Sequence, residues 1–280
     1  MAAASLSGHV AIVTGAGRGF GRAIAQRLAA EGAAVTLTAR TASQLAESVA
    51  RIESQGGRAL AVPADVTSTA DVARVVSATR EKFGPITLVV SNAGVPGPFG
   101  PLWEIDPEQW WAAQAVHIRA PMLFLRTVMP EMVARRSGRI IIVSALASRV
   151  VAPNLSAYCV GKIAQVRLTG QAAAEAGEHG VQVFAIDPGF VITALAEQTM
   201  NSPEAQRWLP GMVKRLQERK AEAREDGSRD LERCAQRCVD LASGRYDGLS
   251  GEYLELDDDL DAWLRGKPPG ERPPPGGHKP

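Results

Sequence analysis

Tyr158 and Lys162 are the pair whose residue types and spacing best suit proton transfer. They are four residues apart, so on a helix their side chains share one face. A phenol with a pKa of about 10 is a poor acid or base at neutral pH, and an adjacent ammonium group favours the phenolate. The pair could therefore serve as a general acid or base toward a carbonyl or an alcohol.

A glycine-rich segment near the start of the chain has the composition of a phosphate-binding turn. Residues 14–21 read TGAGRGFG, follow the apolar run 10–13 and lead directly into a helical pattern. Glycines let the backbone adopt unusual dihedral angles and approach a pyrophosphate closely, and the start of a helix adds a positive dipole end. The segment predicts a dinucleotide site that includes Gly15, Arg18, Gly19, Phe20 and Gly21.

The TGxxxGxG spacing of this segment, rather than GxGxxG, resembles the short-chain dehydrogenase/reductase family. The resemblance continues in family order to about residue 264 and includes the YxxxK spacing of Tyr158 and Lys162. It implies a nicotinamide dinucleotide as cofactor and hydride exchange with a ketone, imine or secondary alcohol. The further cofactor contacts that it implies are Asp65, Val66, Asn92, Ala93, Gly94, Pro188, Gly189, Val191 and Thr193.

The resemblance also assigns roles to the reactive pair. It implies that Tyr158 is the general acid or base, and that Lys162 binds the nicotinamide ribose and lowers the pKa of the tyrosine. It further implies that the protein is a homotetramer or a homodimer.

The charge after the second predicted strand decides which nicotinamide cofactor is expected. An acidic residue there would accept hydrogen bonds from the ribose 2′-hydroxyl of NAD and would repel a 2′-phosphate. This sequence has Ala39 and Arg40 at that place, and Arg18 in the glycine segment. Because guanidinium groups bind phosphate in a bidentate manner, we expect NADP(H), although both arginines could also be solvated surface residues.

Two positions depart from the catalytic set that is usual in the family. A serine that hydrogen-bonds the reacting oxygen is expected thirteen residues before the tyrosine, where Ala145 stands. An asparagine whose backbone helps to hold a water of a proton relay is expected in the preceding helix, where His117 stands. Two of the four expected polar groups are therefore missing or changed.

Three explanations of these departures are open. Ser144 could replace the missing hydroxyl if the strand end bulges, since neighbours on a strand otherwise point to opposite faces; Ser148 is another hydroxyl nearby. His117 could carry a proton, because imidazole titrates near neutral pH, or it could simply pack in an apolar helix. Alternatively, ordinary carbonyl reduction could be slowed or lost, because removing one such donor typically costs about 10²–10³-fold in turnover.

The departures leave two functions open beside that of an NADP(H)-dependent oxidoreductase. The first is an isomerase, lyase or cyclase of a biosynthetic pathway, with Tyr158 and His117 as acid and base. The second is a cofactor-binding protein without turnover, since a fold does not fix a function. The intact pair of Tyr158 and Lys162 favours the oxidoreductase.

An alternation of short strands and longer helices supplies the scaffold that must position these residues. Apolar β-rich runs predict strands at 9–14, 34–39, 58–62, 87–91, 139–144, 181–187 and 252–256. Helical patterns between the strands include 21–31, 43–55, 70–83 and 156–176. The alternation predicts an α/β fold, namely a doubly wound (Rossmann) parallel sheet with helices on both faces and ligands at the carboxyl ends of the strands.

We expect residues 1–265 to form one dinucleotide-binding catalytic domain, with a lid at about 193–226. The lid segment is polar and helical, and Pro203 and Pro210 interrupt it. Residues 266–280 read GKPPGERPPPGGHKP. They are expected to be a disordered tail, because they offer too little apolar surface to fold.

The composition bears on the partners. The 280 residues are 45% apolar and 22% charged, with a formal net charge of +1 and no Lys/Arg block, so no nucleic-acid partner is expected. No apolar run approaches the roughly 18 residues of a membrane span, and residues 1–8 do not resemble a secretory signal. We therefore expect a cytoplasmic protein with a small-molecule substrate. No metal is expected, since Asp257, Asp258 and Asp259 are adjacent and project in different directions.

Overall fold

The computed structural model describes residues 6–222 and 227–266, with a seven-stranded sheet at the centre. The sheet is parallel throughout, in the order β3-β2-β1-β4-β5-β6-β7. The strands are β1 (Val10–Thr14), β2 (Ala34–Ala39), β3 (Arg58–Pro63), β4 (Leu88–Ser91), β5 (Gly138–Val143), β6 (Val181–Ile186) and β7 (Tyr253–Leu254). All seven predicted strands are present, and the predicted doubly wound α/β fold is confirmed.

Helices cover both faces of this sheet. The helices of the described residues are α1 (Gly19–Ala30), α2 (Ala42–Ser54), α3 (Thr69–Phe83), α4 (Pro107–Gln114), α5 (Ala120–Arg135), α6 (Ser156–Ala176), α7 (Ala194–Asn201), α8 (Pro203–Trp208), α9 (Pro210–Glu222), α10 (Gly227–Ala242) and α11 (Leu260–Leu264). A single π-helical turn, Ala115–Arg119, joins α4 to α5. None of the described helices is long and apolar enough to cross a membrane.

Strand β1 shows how one short run of residues supplies both layers of the core. Ala11 and Val13 pack with α1 and α10 on one face of the sheet, whereas Val10 and Ile12 pack with α3 and α5 on the other. Successive residues of a strand point to opposite faces. A strand covered on both faces is therefore apolar without alternation, as the sequence of β1 is.

The strand order reverses at β1, which has β2 on one side and β4 on the other. The connections from these neighbouring strands leave on opposite faces of the sheet, so a crevice opens at their carboxyl ends. The loops that follow β1, β4, β5 and β6 meet at this crevice. It is there that the sequence places its candidate residues.

Three helices inserted after β6 correspond to the predicted lid segment. Helices α8 and α9 begin at Pro203 and Pro210. Proline suits the first turn of a helix because its missing N–H would have no intrahelical acceptor there. Residues 223–226, at the end of the predicted lid, and residues 267–280 of the predicted tail lie outside the described residues.

Candidate active site

The glycine segment closes into a turn with no space for a side chain at position 21. A Cβ there would lie 2.3 Å from the carbonyl oxygen of Gly15 and 2.6 Å from Nδ2 of Asn92. Gly15 and Gly19 have φ angles of +64° and +55°, in the left-handed region that glycine adopts without strain. Each of these three positions therefore has a steric or conformational need for glycine.

Helix α1 begins inside this turn without a capping side chain. Its N-cap residue, Arg18, makes no side-chain cap hydrogen bond, and the first helical turn contains no acidic residue. The N–H groups of that turn and the positive end of the helix dipole are thus left for an external anion. The turn fits the pyrophosphate of a dinucleotide.

Asn92 ties the glycine turn to the end of β4. Its backbone N–H donates to Oγ1 of Thr14 at 2.9 Å, and its side-chain Nδ2 donates to the carbonyl of Thr14 at 2.9 Å. The N–H of Ala93 also donates to Oγ1 of Thr14, at 3.0 Å. Asn92 and Ala93 therefore shape the turn besides lining the cleft beside it.

A cleft of about 830 Å³ runs along the carboxyl edge of the sheet from the glycine turn to α6. Every cofactor position expected from the sequence lines it except Gly21, which lets the turn close behind the cleft wall. The lining members are Gly15, Arg18, Gly19, Phe20, Arg40, Asp65, Val66, Asn92, Ala93, Gly94, Tyr158, Lys162, Pro188, Gly189, Val191 and Thr193.

The cleft wall carries two guanidinium groups near the glycine turn. Arg18 and Arg40 both line the cleft, their side chains are exposed, and Ala39 precedes Arg40 at the end of β2. Asp65 follows the neighbouring strand β3, and its Oδ1 accepts from the backbone N–H and the hydroxyl of Thr67 at 2.9 and 2.8 Å. The carboxylate of Asp65 is therefore engaged by its own loop, whereas the two arginines can bind a phosphate group.

Tyr158 and Lys162 lie together on α6 and line the same cleft. The Nζ atom of Lys162 is 5.6 Å from the centre of the Tyr158 ring, as expected for one helix face. Lys162 is only 4% exposed. Its Nζ donates to the carbonyl of Val143 at 2.9 Å and to Oε1 of Gln165 at 3.1 Å.

Burial governs the ionisation of this pair. It raises the pKa of Tyr158 well above its ordinary value, and the Asp187 carboxylate adds to the effect. Burial also lowers the pKa of Lys162 to about 7, while Asp187 acts in the opposite direction. Tyr158 therefore keeps its proton at neutral pH. This differs from the expected lowering of the tyrosine pKa, because desolvation of the phenolate and the nearby Asp187 carboxylate both raise it.

Ala145 lines the cleft after β5, and the serines beside it direct their hydroxyl groups elsewhere. Ser144 borders the cleft, but it is 1% exposed and its Oγ donates to the carbonyl of Lys162 at 2.9 Å. Ser148 is 2% exposed and does not line the cleft. The strand end thus does not present either hydroxyl where Ala145 faces the cleft.

His117 lies beneath the cleft rather than on its wall. Its side chain is fully buried, Nε2 donates to the carbonyl of Val95 at 2.9 Å, and Nδ1 has no hydrogen-bond partner among the described residues. Gly161 makes room for it, since a Cβ there would lie 2.7 Å from the Cβ of His117. Burial, aided by Lys162, lowers the pKa of His117 to about 3. A neutral, buried imidazole favours packing over proton transfer.

Asp187 and Gln165 are two polar residues of the site that the sequence-based prediction does not include. Asp187 follows β6 and lines the cleft. Burial raises its pKa to about 6, although the hydrogen bond from the N–H of Gly189 acts in the opposite direction. Gln165 bonds Lys162 from one helical turn further along α6. A signal existed for each: Asp187 ends a predicted strand at the ligand-binding edge, and Gln165 is three residues after Lys162.

Apolar side chains enclose the part of the cleft next to Tyr158. Phe99, Leu155 and Met212 pack in one cluster with the Tyr158 ring. Further apolar residues of the cleft wall are Pro96, Leu146, Phe190, Leu195 and Leu216. Leu195, Met212 and Leu216 belong to α7 and α9, so the inserted helices form part of this wall.

The three adjacent carboxylates near the end of the described chain each have a separate structural partner. Asp257 pairs with the guanidinium of Arg233, Asp258 accepts from the backbone N–H of Glu255, and Asp259 caps α11. Their side chains therefore serve three local contacts rather than one shared ligand.

Comparison with known proteins yields consistent matches. The family model described as short chain dehydrogenase matches residues 9–204. A Mycobacterium tuberculosis (strain ATCC 25618 / H37Rv) protein described as an uncharacterized NAD-dependent oxidoreductase is 38% identical over 207 residues, or 69% of this chain and 75% of that protein. The 2-(R)-hydroxypropyl-CoM dehydrogenase of Xanthobacter autotrophicus is 36% identical over 201 residues, or 70% of this chain and 80% of that protein.

A solved structure shares the fold over nearly the whole chain. The gluconate 5-dehydrogenase of Burkholderia cenocepacia J2315, in complex with NADP and tartrate, superposes with a TM-score of 0.76. The two chains are 26% identical, and the match covers 93% of this chain and 98% of the other.

Proposed function

Because the chain belongs to the short-chain dehydrogenase family and is therefore a nicotinamide-dependent oxidoreductase, we propose that it transfers a hydride between NADP(H) and a ketone, imine or secondary alcohol. One observation carries the proposal: the glycine turn and the pair of Tyr158 and Lys162 line the same cleft. A cofactor bound along this cleft would have a proton donor beside it.

The chain's own residues divide the work of such a reaction. The bound nicotinamide supplies or accepts the hydride. Tyr158, which keeps its proton at neutral pH, donates that proton to the oxygen of a carbonyl under reduction. In the reverse direction, the deprotonated form of Tyr158 accepts the proton of the alcohol. Lys162 holds the nicotinamide ribose, while the glycine turn and the start of α1 bind the pyrophosphate.

The apolar wall near Tyr158 narrows the class of substrate. Phe99, Leu155 and Met212 offer carbon surface, and Asp187 places a carboxyl group on the same cleft wall. Apolar surface with few polar groups suits an uncharged, largely hydrocarbon substrate, in which Tyr158 recognises the one reacting oxygen. An acidic substrate would meet the Asp187 carboxylate and is disfavoured.

The first experiment measures NADPH consumption over a panel of ketones, aldehydes and imines, beside NADPH binding followed by fluorescence. Binding with turnover supports the proposed reductase, and the best substrate defines its class. Binding without turnover in either direction, with alcohols and NADP⁺ included, would contradict hydride transfer.

A second candidate function keeps the cofactor site but not net redox chemistry. It is an isomerase, lyase or cyclase, or a cofactor-binding protein without turnover. The observation that favours it is the absence of a hydroxyl where Ala145 faces the cleft, since the Ser144 hydroxyl donates to the Lys162 carbonyl and Ser148 does not line the cleft. Binding without turnover in the panel experiment would select this candidate.

Cofactor preference provides a separate prediction, since the named relatives include an NAD-dependent protein and one solved with NADP. Arg40→Asp replaces a phosphate-binding cation with a group that repels phosphate and can accept from a ribose hydroxyl. We expect NADPH affinity to fall by about 10- to 100-fold, the scale of one charged hydrogen bond. NADH affinity should rise or stay constant, as judged by fluorescence titration.

The control for this variant is Arg58→Asp, which makes the same charge change at an exposed arginine that does not line the cleft. It should leave the ratio of NADPH to NADH affinity unchanged. An unchanged ratio in Arg40→Asp as well would contradict the assignment of Arg40 to the 2′-phosphate.

We also propose a lid, a cellular location and an oligomeric state for this chain. Residues 193–222 act as a lid, because α7 and α9 contribute Leu195, Met212 and Leu216 to the cleft wall. We further propose that the chain works as one cytoplasmic catalytic domain, assembled into a homodimer or homotetramer. Exposed Trp103 and Trp111 provide apolar surface that suits such an assembly.

A further inference from the structure

The carbonyl group of His117 lacks its usual helical donor. In a regular α-helix it would accept from the N–H of residue 121, but Pro121 has no N–H. The chain forms its π-helical turn, Ala115–Arg119, at this place. Nε2 of Gln165, on the neighbouring helix α6, donates to the His117 carbonyl at 2.9 Å. A side-chain amide thus donates to a carbonyl whose regular α-helical donor is missing at Pro121.

The other end of the same amide holds the lysine of the reactive pair. Oε1 of Gln165 accepts from Nζ of Lys162 at 3.1 Å, and the carbonyl of Val143 accepts from the same Nζ at 2.9 Å. Gln165 is 1% exposed and Lys162 is 4% exposed. Within the described residues, two of the three ammonium hydrogens are therefore fixed inside the protein, and one is left for the cleft.

We propose that Gln165 is a positioning residue that aims Lys162 into the cleft and occupies the place where a proton-carrying water would bridge Lys162 and the His117 carbonyl. This inference rests on the proposed function, since it gives the aimed lysine a cofactor to hold. A water with two such polar partners could accept and release protons. The amide of Gln165 has no ionisable proton near neutral pH, so it bonds both groups without passing a proton between them.

The proton balance of carbonyl reduction then has a defined route. A C–H bond forms from the transferred hydride, and an O–H bond forms on the substrate as the O–H bond of Tyr158 breaks. The tyrosinate must recover one proton before the next turnover. With the Gln165 amide in place, that proton comes from water in the cleft after the alcohol has left, and not through the interior between α5 and α6.

Two substitutions distinguish this role from simple packing. Gln165→Met keeps the side-chain volume but removes both hydrogen bonds, which leaves Lys162 and the His117 carbonyl unsatisfied. Gln165→Ala opens a polar space in which a water, with a volume of roughly 30 Å³, can bond both groups. We expect Gln165→Met to weaken NADPH binding and lower kcat/KM by about 10-fold or more, and Gln165→Ala to lose clearly less.

Gln114 supplies a matched control for the expectation that alanine is tolerated better than methionine at position 165. It is also a buried glutamine, and its Nε2 donates to a backbone carbonyl of α6, that of Ala157, at 2.9 Å. It does not bond Lys162. At position 114 we expect the opposite result, because a side chain that only packs is best replaced by one of similar volume. Gln114→Met should therefore keep a higher melting temperature and NADPH affinity than Gln114→Ala.

A third variant keeps the proposal testable if the first two fold poorly. Gln165→Glu preserves the shape and the bond to Lys162 but places a carboxylate beside the ammonium, while the other ionisable groups around Lys162, namely Tyr158, Asp187 and His117, are unchanged. An opposite charge favours the ammonium. We expect NADPH affinity to fall with rising pH as Lys162 loses its proton, and in Gln165→Glu this fall should occur about one pH unit or more higher.

The affinity measurements use whichever nicotinamide cofactor the wild-type protein binds and need no turnover. A protein that binds cofactor but reduces nothing in the substrate panel would contradict the proposed function, and the affinities would still decide the role of Gln165. If Gln165→Met binds cofactor as well as or better than Gln165→Ala, the side chain only packs and the proposal is overturned. An unchanged alkaline limit in Gln165→Glu would overturn it independently.

Discussion

Replacing Tyr158 with phenylalanine is expected to lower kcat by about 10³-fold while the Kd for NADPH changes by less than about threefold. The substitution removes one oxygen and leaves the ring packed among Phe99, Leu155 and Met212. General acid–base catalysis typically contributes about 10²–10⁴-fold, and the phenol is the group with a proton to give beside the apolar wall. Steady-state kinetics on the best substrate of the panel, with fluorescence titration of NADPH, measures both quantities.

Tyr253→Phe is the matched control, because it removes the same atom from a buried tyrosine that does not line the cleft. Because this hydroxyl lies in the protein interior and not at the cleft, its loss should lower the melting temperature and leave kcat nearly unchanged. A Tyr158→Phe variant that retained a tenth or more of the wild-type kcat would show that the proton comes from another group. Equal loss of NADPH affinity and kcat would show a binding role instead.

Ala145→Ser is expected to raise the rate of carbonyl reduction by about 10-fold or more. The residue already has extended backbone angles, φ −172° and ψ 162°, which serine adopts as readily, and it is only partly buried on the cleft wall. A hydroxyl there would donate to the reacting oxygen together with Tyr158. Removal of one such donor typically costs about 10²–10³-fold, so its restoration should recover part of that factor.

Ala147→Ser adds the same oxygen two residues further along the cleft wall and serves as the control. It should leave kcat within about twofold of the wild-type value, as surface changes away from special features usually do. An unchanged or lower rate in Ala145→Ser would mean that the missing hydroxyl does not limit the reaction. In that case the non-redox function gains support, provided that NADPH still binds.

The scaffold could be predicted from the sequence because its signals are local. Buried parallel strands such as β5 are short, uninterrupted apolar runs, and the glycine turn combines a strand end, a helix start and four glycines within eight residues. Each signal lies within one stretch of the chain, so no knowledge of distant contacts is needed. The same holds for Tyr158 and Lys162, which one helical turn brings together.

The direction of the tyrosine pKa could not be predicted in this way. An ammonium four residues away on a helix suggests a lowered pKa, whereas the structure desolvates the partly buried phenol and raises its pKa. Desolvation depends on everything that covers the pair, including the neighbouring strand β6, which brings Asp187 to the site. These contributions come from residues far apart in the chain.

The hydroxyl groups near Ala145 show a similar limit. Strand alternation correctly suggests that Ser144 turns away from the cleft, but not that it bonds the Lys162 carbonyl. The buried environment of His117 likewise depends on Gly161, which leaves space for the imidazole from another helix. The bridge through Gln165 combines the π-helical turn Ala115–Arg119, α6 and β5, three elements that no single pattern relates.

The bond between Asn92 and Thr14 has a consequence for the growing chain on the ribosome. These two residues are 78 positions apart, so β1 and the turn after it are synthesised long before the amide that fixes them. At a synthesis rate of about 5–20 residues per second, the glycine turn waits roughly 4–16 s for its partner. Until β4 emerges and docks against β1, the glycine turn lacks the hydrogen bonds from Asn92 that hold it in the folded chain.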